Sequence, residues 1–151
     1  MTARPATRLT LQEVFQTARS RIERLSPPDA LAATERGVLL IDIRSSGERE
    51  RDGIVPGSLH IPRTVLEWRV DPGSAWRNPH LGGLDEQVLL LCAEGYSSVL
   101  AAAGMVDLGF GRAGDVIGGF AAWRQARLPV GPAPAVRLGP GELVGMQRRD
   151  R

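Results

Sequence analysis

VLLLCAEGYSSVLAAAG, residues 88–104, decides how this chain of 151 residues folds. Its first four residues form a continuous apolar run of strand length, the pattern of a strand buried on both faces of a parallel sheet. From its end onward the pattern differs: Val99, Ala102, Ala103 and, just beyond, Val106 recur at helical spacing, with small side chains that let a helix lie close to a sheet. The stretch therefore predicts a strand over 88–91, a short loop, and a helix over 97–108.

Cys92, the only cysteine, falls where the strand ends. One thiol cannot close an internal disulfide, and with His60 and His80 at no metal-ligand spacing it makes no zinc site. Two readings stay open. Cys92 is a small buried hydrophobe at a strand end, or it is a nucleophile. A strand, a loop containing Gly95 and a helix N-terminus can converge several backbone N–H groups, with the positive end of the helix dipole, on one point. That point attracts an anion and favours thiolate over thiol, so no histidine partner is required.

Outward from this stretch, VLLIDI (38–43) repeats the buried-strand pattern. Leu11, Val14, Phe15, Ala18, Ile22 and Leu25 predict an amphipathic helix over 10–25, docked as an N-terminal extension. Ser26 before Pro27 and Pro28 caps a short helix over 27–36 that Gly37 ends. SSGERERD (45–52) is a charged segment, GIVPGSLHIP (53–62) holds a Pro-Gly turn, TVLEWR (64–69) gives one or two helical turns, and 72–83 is irregular. A strand at 115–117 and a helix in GGFAAWRQ (118–125) complete the pattern. Strands alternating with helices predict an α/β domain, its parallel sheet covered by helices on both faces, with ligands bound beyond the carboxyl ends of the strands. The division expected is a helical extension over 1–24, the domain over 25–130, and a mobile tail over 131–151.

Composition narrows the function classes. The apolar fraction is 42% and the charged fraction 24%, ordinary for a globular protein. All nineteen basic residues are arginine, a usage that suggests a G+C-rich, bacterial source. Net charge is +2, and residues 131–151, with four Arg against Glu142 and Asp150, carry the whole of it. Without a basic stripe interleaved with aromatics, nucleic acid is a poor candidate partner. No apolar run approaches a membrane span and no secretory leader is evident, so a cytoplasmic protein that does not engage membranes is expected.

LLIDIR (39–44), GIVPGSLHIP (53–62), CAEGYSS (92–98) and VIGGFAAWRQARLPV (116–130) resemble, in order and spacing, the signature segments of the rhodanese-like, or sulfurtransferase, domain. The resemblance spans about residues 25–130 and implies that family's parallel α/β fold. It implies that Cys92 accepts a sulfane sulfur from a small donor such as thiosulfate or a persulfide and passes it to a thiol or cyanide, with no metal and no organic cofactor. Either the donor or the acceptor can be another protein. The loop of Ala93, Glu94, Gly95, Tyr96, Ser97 and Ser98 would cradle the anion, Gly95 permitting the curl, and Ser97 and Ser98 either capping the next helix or donating to the ligand. Asp42 and Arg44 match the family's Asp-x-Arg and would support the loop as an ion pair. Arg63 and Arg69, after the Pro-Gly turn, are candidate substrate contacts. His60 is expected as a strand residue and Trp123 as core. Glu94, and Tyr96 where many relatives carry Arg, depart from the pattern and weigh against thiosulfate as natural donor.

Two other functions compete. Related phosphatases run from the nucleophilic Cys through five residues to an Arg that clamps phosphate, whereas here the corresponding residue is Ser98. Rhodanese-like interaction modules commonly lack the cysteine, which this chain retains.

Overall fold

The computed structural model describes residues 7–134. Its elements run α1 (Leu11–Ser20), β1 (Glu23–Leu25), α2 (Pro27–Glu35), β2 (Leu39–Asp42), α3 (Ser46–Asp52), β3 (Leu59–His60), a 3-10 turn (Arg63–Val65), α4 (Leu66–Val70), β4 (Val88–Leu91), α5 (Ser97–Asp107), β5 (Ala113–Val116) and α6 (Gly119–Gln125). The five strands form one parallel sheet in the order β1-β5-β4-β2-β3, with β4 at its centre.

Alternation along the strands assigns the two faces. Val88 and Leu90 join Ile41, Ile43 and the α4 and α5 residues Leu66, Val70, Ala101, Ala102 and Met105 in one core. Leu89 and Leu91 join Leu40, Ala30 and Ala33 of α2, and Phe120 and Trp123 of α6 in the other. Both faces are therefore covered, as the apolar runs require. Trp123 is fully buried, and its indole N–H donates to the Pro129 carbonyl at 2.9 Å.

The expected helix over 10–25 ends at Ser20. Residues 23–25 instead form the edge strand β1, with Arg24 beside Asp115 in register. Ile22 and Leu25 continue the helical stripe in sequence, but pairing with β5 claims the backbone here, so the sheet crosses the expected 24/25 boundary. The helix lies on α5: Phe15 and Ala18, with Ile22 just beyond its end, pack on Val99, Leu100 and Ala103, and the C-cap residue Arg21 pairs with Asp107.

The segment at 45–52, read only as charged, is helix α3. Ser45 caps it reciprocally with Glu48, a Ser-x-x-Glu capping box. The predicted strand over 115–117 is shifted to Ala113–Val116. At the other end, Gly131 exchanges two backbone hydrogen bonds with Ile54, of 2.8 and 2.9 Å, so it belongs to the domain rather than to a tail. The mobility expected of the rest of the tail falls, from residue 135 onward, outside the described residues. Among the described residues no helix is long and apolar enough to cross a membrane.

Candidate active site

Cys92 follows β4 directly, at the carboxyl end of the central strand. The loop it opens is held from two sides. The first amides of α6 reach it, Phe120 N–H donating to the Cys92 carbonyl at 2.8 Å and Ala121 N–H to the Ala93 carbonyl at 3.0 Å. From β1, Arg24 Nη2 donates to the Gly95 carbonyl at 3.0 Å. With its carbonyls pinned outward, the loop turns N–H groups toward the sulfur: Gly95 N–H lies 3.0 Å from Sγ.

Gly95 is required by this curl. Its φ is +85°, and a Cβ there would sit 2.6 Å from the Gly118 backbone nitrogen, which cannot swing aside as a side chain could. Gly95→Ala is expected to cost roughly 1–3 kcal/mol of stability and to slow alkylation of Cys92, measured by urea melts and iodoacetamide kinetics. Gly104→Ala, in α5 where a Cβ meets nothing within 4 Å, should instead stabilise by about 0.5–1 kcal/mol.

Cys92 is only 5% exposed, yet it lines a cleft of about 280 Å³ with Ile43, Arg44, Glu48, Arg63 and Ser97. Its thiol lies below the ordinary value. Burial is the largest influence and pushes the pKa up, but the Ser98 hydroxyl and N–H, the Ser97 hydroxyl and the Gly95 N–H together pull it further down. The start of α5 at Ser97 adds the helix dipole in the same sense. A larger cleft, about 890 Å³, is elsewhere: Val38, Gln87, Val88 and Arg112 place it at the opposite end of the strands, away from the thiol.

The anticipated loop residues divide by position. Ala93 and Ser97 line the cleft; Gly95 and Ser98 are buried beside the sulfur. Neither serine caps α5, which has no side-chain cap. The Ser98 hydroxyl instead accepts from the Cys92 thiol at 3.2 Å and donates to Asp115 at 2.7 Å. Glu94 turns away from this cleft to an adjacent one of about 590 Å³, which it lines with Arg51 and Arg124. Tyr96 is 67% exposed and lies against Phe15 of α1, ring centroids 6.3 Å apart.

Asp42 and Arg44 form the anticipated ion pair, fully buried and bidentate, at 3.0 and 2.8 Å. Arg44 also donates to the Gly53 carbonyl at 2.8 Å, and its guanidinium lies 3.8 Å from the centre of the Phe120 ring. Arg63 lines the cleft and pairs with Glu67 at 2.6 Å. Arg69 does not line it: only 3% exposed, it donates to the Trp76 carbonyl and anchors the irregular segment, a correction to its expected role in substrate contact. His60 is a strand residue whose Nε2 bonds the Arg44 carbonyl at 2.8 Å; burial holds its pKa below the ordinary value.

Three participants were not anticipated. Arg49 of α3 is a second cation on Asp42, at 3.2 Å, while Asp115 and Arg24 lie behind Ser98. A carboxylate within the short buried strand AGDV was the available signal for Asp115, since an ionised group there needs partners.

A family model, the rhodanese-like domain, matches residues 26–126. The chain is similar to the thiosulfate sulfurtransferase GlpE of Pseudomonas entomophila, 32% identical over 70% of this chain and 88% of the relative. It is also similar to a sulfurtransferase of Allochromatium vinosum, 31% identical over 74% of this chain and 94% of that one. Among solved structures, a Rhodopseudomonas palustris protein described as of unknown function and a possible tyrosine phosphatase superposes with a TM-score of 0.75. It is 36% identical, over 87% of this chain and 100% of the other.

Proposed function

We propose, from the premise that the chain belongs to the rhodanese-like domain family, that it is a sulfurtransferase working through a persulfide on Cys92. The observation that carries this reading is the chain's only thiol at the floor of a cleft, with Gly95 N–H 3.0 Å and Ser98 Oγ 3.2 Å from its sulfur at the start of α5. The Cys92 thiolate attacks the outer, sulfane sulfur of the donor. A new S–S bond forms, the donor's own bond to that sulfur breaks, and the leaving group (sulfite from thiosulfate, a thiolate from a persulfide) departs with the electron pair. A thiol or cyanide then attacks the terminal sulfur, and Cys92 leaves as thiolate.

The loop amides receive the negative charge of the persulfide where it develops. Arg44 and Arg63 face a donor anion across the cleft, opposed by Glu48. Because Glu94 lies in the neighbouring cleft, its charge weighs less against thiosulfate than the sequence suggests.

The test is intact-protein mass spectrometry of reduced enzyme incubated with thiosulfate and, separately, with a low-molecular-weight persulfide. A gain of one sulfur atom, removed by cyanide, is the expected result; no adduct from either donor would overturn the reading in favour of an interaction module.

The Rhodopseudomonas palustris relative raises a phosphatase reading. Against it, the residue that would clamp phosphate is Ser98, fully buried and committed to Asp115. No hydrolysis of p-nitrophenyl phosphate above background is expected.

A further inference from the structure

Beneath the active-site thiol runs a buried polar chain that sulfur transfer as described above does not use. The Cys92 S–H reaches Ser98 Oγ at 3.2 Å, the Ser98 hydroxyl reaches Asp115 Oδ2 at 2.7 Å, and Arg24 closes on Asp115 through Nε at 2.8 Å and Nη2 at 3.2 Å. Ser98 and Asp115 are both fully buried. The members come from four places: the end of β4, the first turn of α5, β5 and β1.

A hydroxyl has one proton to give. At 2.7 Å from a carboxylate, the Ser98 proton is on the Asp115 side, and its lone pairs face the sulfur. In that state Ser98 accepts from a thiol and offers a thiolate no proton, so the lowering that its hydroxyl exerts on the Cys92 pKa belongs to the turned orientation. Once Cys92 loses its proton the sulfur becomes an acceptor, and the hydroxyl can stabilise it only by leaving Asp115. Asp115 tolerates the loss because two Arg24 bonds remain. We propose that Asp115 is a positioning residue that holds the Ser98 hydroxyl as an acceptor for the Cys92 thiol, so that ionisation of Cys92 is coupled to a turn of the Ser98 proton from Asp115 to the sulfur.

Other charges surround the thiol and are common to every variant below. Arg44, Glu48 and Arg63 face it across the cleft from the end of β2, α3 and the turn after β3, and Glu94 is in its own loop. Asp42 and Arg49 stand behind Arg44. Asp115, with Arg24 behind it, is the carboxylate on the buried side.

Replacing Asp115 with asparagine removes the acceptor and its charge while keeping the shape. The Asn oxygen can face Arg24 and its amide can donate to Ser98 Oγ, which frees the hydroxyl proton for the sulfur. Both changes favour thiolate. The experiment follows the rate of Cys92 alkylation by iodoacetamide against pH in the wild type, Asp115→Asn, Ser98→Ala and the double variant. Asp115→Asn is expected to lower the midpoint by about one pH unit, giving about tenfold faster alkylation at a pH below both midpoints. In the Ser98→Ala background the same substitution should move the midpoint by less than half as much. An unmoved or raised midpoint, or equal shifts in both backgrounds, would overturn the proposal; a residue that only supported the fold would change the melting temperature and leave the midpoint in place.

Should Asp115→Asn fail to fold, the S–H stretching band supplies the test, because the chain has one thiol. The band should lie at lower frequency in the wild type than in Ser98→Ala; coincident bands would refute the bond on which the proposal stands. The inference relies on the Cys92 reading only for its consequence in catalysis. Alkylation and infrared report the thiol itself, so a failed sulfur-uptake assay and a failed midpoint shift are separate results.

Discussion

Cys92→Ser is expected to fold as the wild type does and to transfer no sulfur. The oxygen cannot form a persulfide, so uptake of sulfur, seen as added mass, and turnover of donor to acceptor should both fall to the uncatalysed level. The fold should survive for a local reason. Cys92 is buried beside Gly95 N–H and Ser98 Oγ, so a serine hydroxyl placed there finds both a donor and an acceptor. The cost of burying it is then largely offset, and the change in unfolding free energy should be within about 1 kcal/mol. Cys92→Ala is the companion: it removes nucleophile and hydrogen bonds together and should be equally inactive. Full activity in either variant would refute the persulfide mechanism, while an unfolded Cys92→Ser would show that the thiol has a packing role which geometry does not account for.

The same thiolate argument fixes a direction with pH. Because the loop holds Cys92 below its ordinary pKa, sulfur uptake from a donor that does not itself titrate should rise with pH through that lowered midpoint and level off above it. Half of the plateau rate is then reached at a lower pH than the midpoint of a free cysteine.

How far the sequence discloses this site depends on how local the signals are. The strand, the Gly-containing loop and the small-residue stripe of α5 are contiguous, so β4 and the Cys92 loop are legible from residues 88–104. Asp42 and Arg44 are legible for the same reason, two residues apart at a strand end. Asp115 and Arg24 are not. They meet across 91 residues, and only the adjacency of β1 and β5 brings them under Ser98. The β1 strand itself is three residues long and follows a helix whose stripe runs on through Ile22 and Leu25, so a helical period masked it. Helix α3 had a legible start in Ser45 and Glu48, but its arginine-rich body offers no apolar stripe. Its inward residue is Arg49, buried because a carboxylate waits for it. Glu94 and Tyr96 are present in the loop as the sequence implies, yet which side of the loop they take is set by packing against α6 and α1.

Asp42→Asn should be the most damaging conservative change in the protein. The Asp42 carboxylate, fully buried, accepts the Arg44 backbone N–H at 3.1 Å, two bonds from the Arg44 guanidinium and one from Arg49. It is one negative charge holding two buried cations. Burial already pushes the Arg49 guanidinium below its ordinary pKa, with Asp42 opposing that effect. An isosteric amide removes the charge, and its NH₂ group presents donors to donors. Breaking a buried pair of this kind costs roughly 3–5 kcal/mol, which for a chain of this length corresponds to a fall in Tm of about 10 °C or more. Thermal melts of the apo protein measure it. The origin of the loss can be isolated, because it lies in stranded cations rather than in a missing contact. Asp42→Asn combined with Arg49→Met should therefore be more stable than Asp42→Asn alone, although two native side chains are then missing. A double variant less stable than the single would show that Arg49 contributes through its own packing and hydrogen bonds, and that Asp42 is not the counterion that keeps it buried. Activity should fall with the single substitution as well, since Arg44 lines the cleft over Cys92 and owes its place to this carboxylate.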